Sequence, residues 1–129
     1  MQREKKSCYK LVSSIIPQAV TGDVNGAEVD TDKFASATLF GQLDDVATGS
    51  FKLQESDVSG SGYADVATDF LVTDDVDGDV PGVASDVVTI GYIGAKRYLR
   101  VVFTHTGDGD IAAGIILDNP ELAPTGANS

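Results

Sequence analysis

The sequence predicts an all-β chain, either an antiparallel β-sandwich or a jelly-roll-like barrel, folded as a single domain. Apolar and polar residues alternate with period two in several short runs, and turn-forming residues separate these runs at intervals of roughly 8–12 residues. The length of 129 residues fits one domain with one core. The nearest approach to an amphipathic helix, around residues 66–72, predicts no more than a turn or two.

The two clearest strands lie near the C-terminal end. In RYLRVVFTH and in DIAAGIILD every second residue is apolar, as expected where one face of a strand is buried. The residues predicted to face the core are Leu99, Val101, Phe103 and His105 in the first run, and Ile111, Ala113, Ile115 and Leu117 in the second. Because the linking HTGDGD is rich in turn formers, the pair is predicted to form an antiparallel hairpin.

A second hairpin is predicted at residues 51–66, FKLQESDVSGSGYADV. Phe51, Leu53 and Glu55 would lie on one side of its first strand, and Lys52, Gln54 and Ser56 on the other. Residues 57–62 would make the turn, and Tyr63 and Val66 would return apolar surface to the sheet. Further strands are predicted from β-branched and aromatic content at residues 9–16, 28–30, 35–41, 64–66 and 87–94.

Charge divides the chain into three parts. We assign residues 1–20 to a basic N-terminal arm with a possible short strand, 21–118 to the β-sandwich domain, and 119–129 to an extended C-terminal tail. The net charge is −11, yet four of the nine Lys and Arg residues lie in the first ten positions. An acidic body repels phosphate backbones, which predicts no direct nucleic-acid binding.

The basic start could bind an acidic partner, or it could be an ordinary solvated terminus. In the first case, the charges would provide attraction and the apolar run behind them would add burial. The partner-binding residues predicted on this basis are Arg3, Lys5, Lys6, Lys10, Leu11, Val12, Ile15 and Ile16.

Residue types that commonly act in catalysis or metal binding are few. Cys8 is the only cysteine and His105 the only histidine, and the sequence contains no GxSxG, HExxH, P-loop or CxxC motif. Asp75, Asp77 and Asp79 alternate as in a calcium loop, but Val80 occupies the sixth position, where such a loop needs glycine. We therefore predict no enzyme activity, no cofactor and no metal site, and interpret the acidic loop as solvated.

No targeting or membrane segment is predicted. The apolar run at residues 11–16 is interrupted by Ser13 and Ser14 and ended by Pro17, which makes it too short for the core of a signal peptide. No run approaches the roughly 20 apolar residues of a membrane span. We expect a protein that is made and kept in the cytoplasm, or released by a route other than secretion.

Three segments carry a resemblance to a known group of proteins. KLQESD at residues 52–57 and GYIGAKRYLRVVFT at residues 91–104 closely resemble small tailed-bacteriophage virion proteins with a KLQESDDG-like hairpin and a GYxGxKRYxRV strand. GAEVDTDKFASATL at residues 26–39 also fits, so the resemblance spans roughly residues 26–117. The chain departs from the pattern by carrying DVSGSG where the group has a DDG turn, and by its acidic loop at residues 73–85.

The resemblance implies a structural protein of the virion. The expected function is capsid decoration: a cement protein that binds the outside of the head shell, with the major capsid protein as partner. We expect a homo-oligomer, trimer or dimer, made in the host cytoplasm and located on the capsid surface. One alternative is a head–tail connector or tail component. The other is a carbohydrate-binding β-sandwich module, with Tyr63, Tyr92 and Tyr98 as stacking aromatics and the lack of Trp as the counterargument.

Overall fold

The structure is a computed structural model that describes residues 9–32, 34–72, 79–83 and 85–120. Within these ranges the chain is an antiparallel β-sandwich, which confirms the predicted fold class. The strands are β1 (Tyr9–Val20), β2 (Val24–Asn25), β3 (Val29–Asp30), β4 (Phe34–Leu43), β5 (Thr48–Ser56), β6 (Ala64–Asp65), β7 (Leu71–Val72), β8 (Val80–Pro81), β9 (Val87–Tyr92), β10 (Tyr98–Gly107) and β11 (Gly109–Pro120). A 3₁₀ turn at Thr68–Phe70 lies in the segment for which no more than a turn or two is predicted.

The strands form two sheets, both antiparallel. Sheet A has the order β1-β11-β4-β9-β7. Sheet B has the order β2-β10-β5-β6, with β3 also paired to β10 and β8 to β5. Because alternate residues of each strand point into the space between the sheets, their apolar side chains form one core.

The centre of the core is aromatic on one side and small on the other. The rings of Phe51 and Phe103, both from sheet B, lie 5.1 Å apart and are fully buried. Gly41 of sheet A faces them, and a Cβ built there would lie 2.8 Å from the Phe51 ring. Large side chains of one sheet therefore fill the space left by a small residue of the other, which gives dense packing.

The predicted core residues of β10 and β11 are buried with one exception. Leu99, Val101, Phe103 and the four alternating residues of β11 have almost no exposed surface. His105 is only half-buried, because it stands near the end of β10, where the register with β5 shifts between His105 and Gly107.

The predicted hairpin between these two strands is wrong. β10 pairs with β5 in sheet B, whereas β11 pairs with β4 and β1 in sheet A. Only Asp108 separates the two strands, and the chain there crosses from one sheet to the other. Gly109 passes so close to Ala47 that a Cβ would lie 2.5 Å from the Ala47 nitrogen. Alternation shows which face of a strand is buried, and the two arrangements bury the same residues.

The hairpin predicted at residues 51–66 is present. Gln54 pairs with Asp65, and Glu55 with Ala64, across β5 and β6. Ser56, which alternation places on the outside, is buried instead. Its Oγ accepts a hydrogen bond from the Val58 amide at 3.0 Å, so the side chain folds into the turn that it closes.

The region assigned to an N-terminal arm differs from the expectation over its second half. β1 is a 12-residue strand at one edge of sheet A, longer than the short strand expected, and Ser14 and Ile15 are buried. Residues 1–8 lie outside the described residues, as do 73–78 of the acidic loop and 121–129 of the expected tail. Residues 119 and 120, which were expected to begin the C-terminal tail, are the last residues of β11.

Candidate functional site

The predicted partner-binding residues of β1 separate into exposed and buried ones. Leu11 and Ile16 are 60% and 64% exposed, and Lys10 is also exposed. Val12 packs against the core, and Ile15 is 1% exposed, so these two stabilise the fold and are not available to a partner. Arg3, Lys5 and Lys6 lie outside the described residues.

Irregular pairing in β1 turns Ile15 inward and leaves Ile16 exposed, whereas Leu11 and Val12 follow regular alternation. The register with β11 shifts between Ser13 and Ile15, and again between Ile15 and Gln18. At the first shift Ser14 turns inward, and its Oγ donates to the Ala27 carbonyl at 2.7 Å and accepts from the Val101 amide at 3.0 Å. The side chain thereby links the edge of sheet A to β10 of sheet B.

The outward positions in the middle of sheet A, between the outward Asp118 and Asp110, form a continuous surface, which we call the sheet A outer face. The strand registers align these positions in three rows across the sheet. The rows are Leu11, Ile116, Thr38, Gly91 and Val72; Ser13, Gly114, Phe40 and Thr89; and Ala112, Gln42 and Val87.

This face is uncharged in a strongly acidic protein. None of the residues in these three described rows is Asp, Glu, Lys or Arg. Leu11 and Val72, at opposite edges of the sheet, are each about 60% exposed. Gly114 lets the ring of Phe40 lie close to the backbone, because a Cβ there would be 2.8 Å from Phe40 Cζ. The surface is therefore uncharged and mostly apolar, a character that is common in interaction sites.

The outward side chains of sheet B, in contrast, bind one another. Asp65 accepts from Lys52 Nζ at 3.2 Å and from Gln54 Nε2 at 2.8 Å. Gln54 in turn accepts from Arg100 Nε at 2.8 Å, and the Arg100 guanidinium lies 4.4 Å from the centre of the Tyr63 ring. The hydrogen bond from Gln54, followed by that from Lys52, lowers the pKa of Asp65.

The first segment that carries the resemblance contacts the hairpin turn that follows the second segment. Glu28, from the first segment, accepts hydrogen bonds from Ser59 Oγ at 2.6 Å, the Gly60 amide at 2.6 Å and Tyr63 Oη at 2.7 Å. These bonds, that of Ser59 being the strongest, lower the pKa of Glu28. Glu28 thus fixes the tip of the β5–β6 hairpin.

The third segment is bound to the other two through its charged residues. Arg97 forms a two-pronged ion pair with Asp30, at 2.8 and 2.9 Å, which lowers the pKa of Asp30. Lys96 Nζ lies 2.6 Å from Asp57 Oδ2. Beside these pairs is a depression of about 380 Å³, lined by Thr31, Asp32, Phe34, Ala35, Ser36, Ala37, Tyr92, Gly94, Ala95, Lys96 and Arg97. Since its cations are already paired with carboxylates, the depression has little charge to offer a ligand.

The three tyrosines considered for carbohydrate stacking do not form a platform. Tyr92 is 6% exposed, and its hydroxyl donates to Glu55 at 2.7 Å. Burial raises the pKa of Tyr92. Arg100 covers the ring of Tyr63, and Arg97 lies 5.2 Å from the ring centre of Tyr98. These three rings therefore do not offer an open aromatic surface on which a sugar could stack.

The titratable residues weighed as metal or catalytic groups are dispersed. Among the described residues, no three His, Cys, Asp or Glu side chains come together to hold a metal ion. His105 Nε2 lies 2.6 Å from Asp108 Oδ1 near the surface. Asp75 and Asp77 of the acidic loop, and Cys8, fall outside the described residues. No helix in the described ranges has the length and apolarity to cross a membrane.

Comparison with known proteins returns no match among protein-family models, curated proteins or solved structures. Functional inference therefore depends on the geometry of the two faces and on the three segments.

Sequence reasoning missed the sheet A outer face. Its signal was present in β11, where the face opposite the core carries Ala112, Gly114 and Ile116 with no charge. β4 repeats the signal with Thr38 and Phe40. Two apolar faces on one strand indicate a second buried surface.

Proposed function

We propose that this chain is a structural protein of a tailed-bacteriophage virion, and specifically a capsid decoration protein that binds the outside of the head shell. The observation that supports this most is the contact of the third resembling segment with each of the other two. Contacts such as Arg97 with Asp30 and Lys96 with Asp57 join segments that are far apart in sequence. The resembling residues therefore stabilise the fold of this chain together, which supports a common structural role for them.

Attachment would use the basic start of the chain. β1 begins at Tyr9 on the edge of sheet A, so Arg3, Lys5 and Lys6 directly precede an exposed edge strand. Lys10 and Leu11 lie exposed at the beginning of that strand. Attraction of these cations to an acidic shell surface would be screened by salt, and many copies on one shell would strengthen weak single contacts.

The test is cosedimentation with shells assembled from the major capsid protein of the same genome. We expect the full chain to sediment with the shells, and deletion of residues 1–8 to weaken binding most at low salt. The deletion stops at residue 8 because a longer one would remove Ser14 and Ile15 from the core. Circular dichroism should show that the shortened chain remains folded.

Matched single variants separate a basic arm from a general charge effect. Lys10→Gln should weaken shell binding, whereas Lys52→Gln should not, because Lys52 is paired with Asp65 on sheet B. If the chain binds tail tubes and does not bind shells, the connector or tail function replaces decoration. Binding of the shortened chain at full occupancy would show that the basic start is an ordinary solvated terminus.

A further inference from the structure

We infer that the sheet A outer face is the contact between two copies of this chain. The inference identifies a surface and an occupant, and it does not depend on whether the protein binds a phage shell. Three features of the structure support it: the distribution of charge, the size of the face and the condition of the sheet edges.

Charge selects this face for self-association. Two copies of a chain with net charge −11 repel each other over most of their surfaces. The three rows of the sheet A outer face contain no charged residue, whereas acidic residues border them: Asp118 beyond one end, and Asp44 and Asp110 beyond the other. Two copies placed face to face here would bury no charge, and their acidic rims would stay in water.

The size of the face suits a weak dimer. With strands about 4.8 Å apart and about 3.3 Å per residue, one outward position covers about 32 Å², so the twelve positions of the three rows cover roughly 380 Å². Two copies would then bury roughly 800 Å² in total, which is below the size of a standard interface and suits only a weak, transient dimer. We therefore expect dissociation in the micromolar range.

The edges of sheet A are less suited to pairing than its face. β1 has two register shifts and carries Pro17, which lacks an amide hydrogen, so a second strand could not continue its ladder regularly. β7, at the opposite edge, is only two residues long. A second copy is thus directed onto the face, where a two-fold axis would place equivalent residues opposite each other.

Thr38 provides the sharpest test, because β4 is the middle strand of sheet A. Thr38→Asp would place two carboxylates near the axis of the dimer, and we expect it to weaken dimerisation by about tenfold or more. Thr104→Asp is the matched control, since Thr104 is also an outward threonine in mid-sandwich, but on sheet B, opposite Ser50. Sedimentation equilibrium across the micromolar range measures both.

A second pair of variants protects the test against a folding defect in a central strand. Val72→Asp changes an exposed valine of the face, and Val58→Asp changes an equally exposed valine at the tip of the β5–β6 hairpin. We expect the first to weaken dimerisation and the second to leave it unchanged. Circular dichroism should give the same folded spectrum for both.

Salt separates this inference from shell attachment. Screening reduces repulsion between acidic copies, so dimerisation should strengthen from about 50 mM to about 500 mM NaCl, while attachment through the basic start should weaken. Monomers at every concentration in high salt would overturn the inference. A dimer that is unaffected by both Thr38→Asp and Val72→Asp would also overturn it. The same holds if the control variants Thr104→Asp and Val58→Asp weaken the dimer as much as the variants of the face do.

Discussion

On sheet B the outward side chains bind one another, whereas the three middle rows of outward side chains on sheet A are uncharged and mostly apolar. Lys52, Gln54, Asp65 and Arg100 form one connected network, with the Tyr63 ring beneath Arg100. Across the sandwich, Thr38, Phe40 and Ile116 occupy equivalent outward positions without ion pairs. The difference indicates that one face is complete within a single chain and the other gains from a partner.

Both faces depend on the same core, so the largest effect should come from its centre. Phe103→Ala removes the ring that packs 5.1 Å from Phe51, and we expect a loss of about 3–5 kcal/mol in the free energy of unfolding. Urea unfolding followed by circular dichroism measures it. Phe70→Ala is the control, because Phe70 is exposed and should cost much less.

We expect Phe103→Ala to unfold in a single urea transition, because the two sheets share one core. Two separate transitions would show that the two sheets unfold independently, as two folding units.

Ser14 joins the edge of sheet A to sheet B. Ser14→Ala would leave the buried Val101 amide without its acceptor, and we expect a cost of about 1–3 kcal/mol. Ser13→Ala, at the exposed neighbouring position, should change little. Equal urea midpoints for the two variants would contradict the link between the sheets.

The smallest expected effect is on the pH dependence of stability, through Glu28, which binds the tip of the β5–β6 hairpin. The pKa of Glu28 is lowered in the folded chain by Ser59, Tyr63 and Gly60, so its contribution to stability is present above the unfolded pKa. That contribution is lost as pH falls through the lowered folded pKa. Glu28→Gln should therefore flatten the fall in stability below about pH 4.5.

Urea midpoints taken from neutral to acidic pH measure this slope. Asp45→Asn, an exposed carboxylate between β4 and β5, is the control and should leave the slope unchanged. If Glu28→Gln gave the wild-type slope, the hydrogen bonds at the hairpin tip would not contribute to stability.

Much of the fold could be predicted because alternation is a local property. The buried faces of β10 and β11, and the hairpin from Phe51 to Asp65, follow from residues within each run and from the turn between them. The candidate site was predicted only in part. Leu11 and Ile16 are exposed as a binding role requires, but Val12 and Ile15 belong to the core. Val12 faces inward by regular alternation, whereas Ile15 faces inward because the register of β1 shifts after Ser13.

The β-rich character of the chain, the place of most strands and the apolar side of each could be predicted, because they depend on neighbours two residues away. Strand pairing, in contrast, is visible only in the folded chain. β10 and β11 separate into different sheets although one residue links them, since β10 pairs along its length with β5 while β11 pairs with both β1 and β4. Pairing also decided that uncharged residues from β1, β11, β4, β9 and β7 align into one face, since register is a contact between distant segments that no single run encodes.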